Sequence, residues 1–285
     1  MDDLLPSWSM QELQSHLLWA LDFFYQAGFG YLRDMGTDEN QWNALIHIFG
    51  SSKNKMHLLT NFAVRSLQDF ENNKSFYTDV QKESQLISKG QLEFSGIKIF
   101  CDGSLGSRTA WISENYLDRD HCGSLFLPQK ELVEMMEVIL RSGFPLSLHS
   151  IGDACSDFLV DRLLEIQKRF FEHKKMPWIH FEHAQLVQRK TLLKMQSLPI
   201  QIHMQPSHWL SDKKFLSRCL PQKLWSDLFP WAQMEELHLK FDFGSDSPIE
   251  SPSLERTRSA IEDLQKIGIP SPQAPIENLH SFYSW

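Results

Sequence analysis

No run of about eighteen consecutive apolar residues occurs in the 285-residue chain, so no segment of it reads as a membrane span. No basic stripe is present either. The 28 lysines and arginines stand against 36 acidic residues, the net charge is −8, and a nucleic-acid partner is not expected. Cysteine is scarce: Cys101, Cys122, Cys155 and Cys219 stand far apart and none forms a C-x-x-C pair, which excludes a zinc ribbon and a thioredoxin-like motif. The N-terminal Met-Asp-Asp-Leu-Leu-Pro lacks the basic region of a secretory signal, and a reduced, cytoplasmic compartment is the expectation. Low-complexity stretches, Gly/Ser-rich linkers and short repeats are also missing, so a solenoid is not expected.

What the chain does have is apolar bulk. Twenty Phe and nine Trp rule out a solvated, disordered chain. The length suits one large domain covering residues 1–285.

Periodicity divides that length into alternating elements. Ser9 and Glu12 make a capping box ahead of a helix with Leu13, Leu17, Leu21 and Phe24 on one face and Gly28 as its stop. Strands are expected at 29–34, 58–64, 96–102, 144–150, 178–183, 200–205 and 239–245. Pro128 opens a helix whose stripe is Leu132, Met135, Met136, Ile139 and Leu140, ended by Gly143. Further helices are expected from Asp153 to Phe171, around Leu192 and Met195, and after Pro252. About seven βα units argue for a parallel sheet with helical crossovers.

The faces of the strands narrow the class. Phe144, Leu146 and Leu148 oppose Ser147 and His149; Ile200, Ile202 and Met204 oppose Gln201, His203 and Gln205; Phe241 and Phe243 oppose Asp242, Gly244 and Asp246. A doubly wound sheet buries both faces in helices and needs apolar residues throughout. One systematically polar face fits an α/β barrel of the (β/α)8 type, with a functional end at the strand C-termini.

Lys98, His149, His183 and Asp246 all sit at or near such strand ends. Imidazole nitrogen and carboxylate oxygen are donors that Zn²⁺ accepts. A lysine joins them only when neutral or when its amine has added CO₂ to give a carbamate. Each residue alone has a plainer explanation: a hydrogen-bonded structural histidine, a snorkelling lysine beside Phe100, or an aspartate capping the turn that follows. His180 and His203 lack supporting context and are not taken as ligands. His180 is expected on the opposite face from His183.

The segment Gly96-Ile97-Lys98-Ile99-Phe100-Cys101-Asp102-Gly103-Ser104-Leu105-Gly106-Ser107-Arg108-Thr109-Ala110 resembles a signature of the family-3 amidohydrolases. So, in order and spacing, do His149-Ser150-Ile151-Gly152-Asp153, Phe181-Glu182-His183-Ala184-Gln185, Gln205-Pro206-Ser207-His208 and Gly244-Ser245-Asp246-Ser247-Pro248-Ile249-Glu250. The resemblance implies a metal-dependent hydrolase on a (β/α)8 barrel, with one or two divalent ions, zinc foremost. It implies His149 and His183 as ligands on strands five and six. Lys98 becomes the strand-four residue that bridges metals when carboxylated. Asp246 becomes a ligand that also takes the proton from water. Arg108, Asp102 and His208 become substrate contacts.

The chain departs from that pattern in one respect. The family's His-x-His pair of strand one is found nowhere among the twelve histidines. The resemblance places the first strand, around Tyr31–Gly36, at strand two, and the final barrel helix near Ser281–Trp285. The expectation is therefore an incomplete barrel, without strand one or the accompanying β-sandwich, whose open edges favour a homo-oligomer. The function expected is hydrolysis of a non-peptide amide C–N bond in a small molecule by a metal-activated water. A non-catalytic barrel remnant or binding protein is the alternative. A phosphoester hydrolase on the same metal barrel is a third reading, less favoured by the matched loops.

Overall fold

Alternation of helix and strand is what the structure, a computed structural model describing residues 8–51, 56–87 and 91–273, carries throughout. In chain order the elements are α1 (Met10–Gln26), β1 (Tyr31–Asp34), α2 (Glu39–Ser51), β2 (His57–Ala63), α3 (Leu67–Ile87) and β3 (Leu92–Phe100). Then come α4 (Gln129–Arg141), β4 (Leu146–Ser150), α5 (Asp153–Phe170), β5 (Ile179–His183), α6 (Arg189–Met195) and β6 (Ile200–Met204). The last are α7 (His208–Cys219), α8 (Trp231–Glu236), β7 (Lys240–Phe243) and α9 (Leu254–Gln265). The expected strands at 144–150 and 239–245 are shorter here, and α2, α3, α7 and α8 go beyond the helices that periodicity singled out. The terminal segments 1–7 and 274–285, including the expected final helix near Ser281–Trp285, lie outside the described residues.

The chain divides into two compact units. The smaller runs to Ala63 and includes Glu71–Gly96. Within it β1 and β2 pair in parallel, Leu32 opposite Leu58. Its interior is aromatic: Phe62 meets the rings of Trp42, Phe76, Tyr77 and Phe94 at centroid distances of 5.5–6.1 Å. The capping box forms as expected, Ser9 Oγ accepting from the Glu12 N–H at 3.3 Å while Glu12 Oε2 accepts from the Ser9 N–H at 2.9 Å. Gly28 then stops α1 at a φ of 93° that a side chain would resist.

The larger unit holds Val64–Phe70 and the described residues from Ile97 onward. Here β3, β4, β5, β6 and β7 follow one another in chain order, every pairing parallel. Helical crossovers between parallel neighbours give the chain pattern of the (β/α) barrel, with seven strands among the described residues. The register sets Lys98 beside Ser147 and Ser147 beside His180, and one rung on it sets Phe100 beside His149, His149 beside Glu182, Glu182 beside His203 and His203 beside Asp242. Directly paired residues share a face, so these polar side chains line one side of the sheet. The opposite side is apolar, with Leu146, Leu148, Phe181 and Ile202 among its residues, and takes the helices. In α4 the stripe Leu132, Met135, Met136, Ile139 and Leu140 is wholly buried, as its spacing predicts.

The polar side carries a continuous buried chain. Asp242 can only accept, so His203 donates its Nδ1–H to Asp242 Oδ1 at 2.7 Å. His203 Nε2, left as the acceptor, faces His180 Nδ1 at 2.9 Å, and Gln201 donates to Asp242 Oδ2 at 2.8 Å. His180 and His203 thus belong to a bonded network across β5, β6 and β7. Such a network disfavours any slip of strand register, because a slip would strand its members unbonded.

Truncating the α4 stripe tests this packing. Leu140→Ala is expected to cost about 2–5 kcal/mol in urea unfolding with an unchanged m-value. Leu117→Ala, at a residue 62% exposed, is expected to change stability by less than about 0.5 kcal/mol.

Candidate metal centre

The strand ends of the larger unit bring together five of the residues singled out from the sequence. Lys98 comes from β3, His149 from β4, His183 from the last position of β5, His208 from the first of α7 and Asp246 from the loop after β7. The rings of His149 and His183 meet edge to face at 4.3 Å, and those of His183 and His208 stack at 5.8 Å. His208 Nε2 lies 3.4 Å from Asp246 Oδ2. Lys98 is only 1% exposed, so it does not snorkel to the surface; its ammonium lies 5.1 Å from the Phe100 ring centroid.

Strand alternation alone would turn His183 away from His149, because the register pairs it with Ser150. The chain escapes the alternation at this point. His183 has a φ of 77° and Ala184 one of 42°, so the extended geometry ends at the histidine itself and its ring comes to that of His149. Asp246 is likewise left-handed, at 57°. Each costs about 1–2 kcal/mol for a residue with a Cβ.

The electrostatics keep the imidazoles neutral. Burial, reinforced by the nearby Lys98, depresses His149 to about 4, against the pull of its bond to the Gly103 carbonyl. Burial, then His149, Lys98 and His208, hold His183 well below its ordinary value. A neutral imidazole has one nitrogen to donate to a metal and one N–H to be fixed by a neighbour. For His183 that neighbour is Gln205, whose Oε1 accepts from Nδ1 at 2.8 Å, leaving Nε2 free. For His149 it is the Gly103 carbonyl, 3.2 Å from Nε2, leaving Nδ1. Two neutral, oriented imidazoles beside a carboxylate are a donor set that a divalent ion suits.

Two residues expected at the substrate are otherwise engaged. Asp102 is fully buried, and its carboxylate accepts the backbone N–H groups of Ile151, Gly152 and Trp111 at 2.9–3.0 Å. Burial pushes its pKa up to about 7 against those three bonds. It anchors the loops that follow β3 and β4 and has no surface for a ligand. Arg108 is bound by Asp118, 2.7 Å from Nη2, and bonds the Gly106 carbonyl through Nη1. No motif in the sequence marks Gln205 and the Gly103 carbonyl as orienting groups, although both lie in segments that resemble the family. For Gln205 the signal is the alternation Gln201, His203, Gln205, which runs one residue past the end of β6.

The sequence matches the amidohydrolase family over residues 1–253. The chain belongs to amidohydrolase family 3. It is 25% identical over 173 residues to YtcJ of Bacillus subtilis (strain 168), covering 60% of this chain and 32% of that one. It is 24% identical over 233 residues to the protein LONG AFTER FAR-RED 3 of Arabidopsis thaliana, covering 76% of this chain and 38% of that one. The fold is shared with an uncharacterized metal-dependent hydrolase from Pyrococcus horikoshii, at a TM-score of 0.78 and 21% identity over 96% of this chain and 55% of that one. The chain thus spans 32–38% of the length of the curated relatives and 55% of the solved one.

Two predictions follow from the buried groups. Asp102→Ala leaves three backbone donors without an acceptor and is expected to lose at least about 3 kcal/mol in urea unfolding. Asp102→Asn, which keeps one acceptor oxygen, is expected to recover part of that loss. In metal-free protein, His149 at about 4, against 6.5 when unfolded, binds fewer protons folded than unfolded between those values. Its contribution is therefore complete above pH 6.5 and lost as pH falls toward 4, amounting to about 3 kcal/mol. Denaturation curves across that window are expected to be flatter for His149→Ala than for the parent chain.

Proposed function

We propose that this chain is a metal-dependent hydrolase that cleaves non-peptide amide C–N bonds in small molecules. The observation that carries the reading is the convergence of neutral His149 and His183, buried Lys98 and Asp246 at the strand ends of a family-3 amidohydrolase. His149, His183 and Asp246 would hold the ion, zinc for this donor chemistry, with Lys98 beside them. Such an ion, when bound, lowers the pKa of a water and polarises a carbonyl.

The chain's own groups supply the rest. Asp246 takes the proton released by the attacking water on a carboxylate oxygen and returns it to the departing nitrogen. Gln205 and the Gly103 carbonyl fix the two imidazoles, so neither ring has to reorient during the reaction. Lys98, buried at the strand ends, is placed beside the point where negative charge develops on the carbonyl oxygen. Free Cys101, Cys122, Cys155 and Cys219 support a reducing, cytoplasmic setting. Among the described residues no helix is long and apolar enough to cross a membrane.

A second reading, a binding protein on a barrel without turnover, has its own observation: no His-x-His occurs among the twelve histidines. A panel of N-formyl and cyclic amides, assayed with zinc-loaded protein, separates the two. Turnover is expected in the parent chain, and Asp246→Asn is expected to lower kcat by about 10²–10⁴. Uniform inactivity of folded, zinc-loaded protein would overturn the amide-hydrolase reading.

A further inference from the structure

His208 lies in a segment that pointed to substrate, yet its geometry is that of a ligand. Its Nε2 is inaccessible to solvent and has no hydrogen-bond partner. Leaving a buried polar atom in that condition is unfavourable unless something else occupies the place of the missing partner. What faces Nε2 is Asp246 Oδ2, 3.4 Å away and outside hydrogen-bonding geometry. Two donors about 2.0–2.1 Å from one tetrahedral ion stand about 3.3 Å apart. The His208–Asp246 separation therefore has the span of one edge of a tetrahedral site.

A third donor closes the arrangement. Ligand atoms of His183, His208 and Asp246 all lie within 4.8 Å of one another, and among the described residues no other group of three or more histidines, cysteines or carboxylates converges in this way. The free nitrogen of His183 is the one that Gln205 leaves open. Backbone geometry gathers the set: His183 and Asp246 both depart from extended conformation where their strands end, and His208 begins α7 just beyond β6. Each donor comes from a different strand-to-helix connection, which gives three directions of approach to one point.

Resting on the hydrolase reading above, we infer that His208 is a metal ligand in this chain and forms, with His183 and Asp246, a three-donor site for one divalent ion, taking the place given above to His149, which does not join that converging group. This assigns to α7 the donor that a chain without His-x-His otherwise lacks. Three protein donors leave a fourth position of a tetrahedral ion for water.

The test is binding, read apart from activity. The full 285-residue chain is stripped with a chelator and titrated with Zn²⁺ in a calorimeter, and with Co²⁺ followed by its visible absorption, which reports donor number and geometry. The expected result is one ion per chain, with affinity at least about 100-fold weaker in His208→Ala and an altered Co²⁺ spectrum. Near-ultraviolet circular dichroism checks folding. If His208→Ala does not fold, His208→Gln, which keeps the bulk at the start of α7, is read by the same criteria. Affinity within about threefold of the parent chain, with an unchanged Co²⁺ spectrum, overturns the assignment of His208 and leaves the hydrolase reading standing. Absence of Zn²⁺ binding by folded parent protein overturns both.

Discussion

The carboxylate of Asp102 is the point from which the centre is built. It lies at the end of β3 with no solvent exposure, and its two oxygens accept N–H groups from Trp111, in the loop that follows, and from Ile151 and Gly152, just beyond β4. Those bonds fix the exit of two strands with respect to each other, and the exits carry Gly103 and His149. Gly152 shows how tight the arrangement is: a Cβ there would sit 2.0 Å from the Trp111 carbonyl oxygen, so the residue between His149 and α5 can only be glycine. The price of burying the carboxylate is offset only in part by three charge-assisted bonds from the backbone, since its pKa still rises to about 7.

Around that anchor the centre is assembled by neutralising its members. Lys98, His149, His183 and His208 together could carry several positive charges in a buried space, and self-repulsion would force them apart. Burial keeps the two strand-end imidazoles unprotonated, and Gln205 and the Gly103 carbonyl fix which nitrogen bears the remaining proton. Below them the Asp242–His203–His180 chain extends the same approach, a carboxylate fixing one tautomer and that tautomer fixing the next. The polar face of the sheet is thus a set of aligned proton positions from the rung of Lys98 upward.

Much of this was legible in the sequence because it rests on period. The apolar stripe of α4, the capping box of α1 and the alternation in β4, β6 and β7 each follow from a repeat of 3.6 or 2 residues, and family segments named Lys98, His149, His183 and Asp246. What period could not show lies where period ends. His180 and Glu182 share the face of His149, while His183 reaches the same centre only through its left-handed backbone. Asp102 reads as a loop acid next to Arg108, and nothing in its neighbours reveals that its partners are backbone N–H groups nine and about fifty residues away. His208 was identified by its segment, but its relation to Asp246 depends on how α7 leaves β6, which is a matter of tertiary path.

The left-handed conformations of His183 and Asp246 bear on how this chain can be improved as a material. Both are positions where glycine would relax the backbone, so a search for thermostable variants that scored stability alone would be drawn to them. Each such gain would erase a proposed metal donor. The two residues mark a place where evolution and an engineer selecting for heat resistance pull the same sequence in opposite directions, and a library meant to preserve chemistry has to hold them constant.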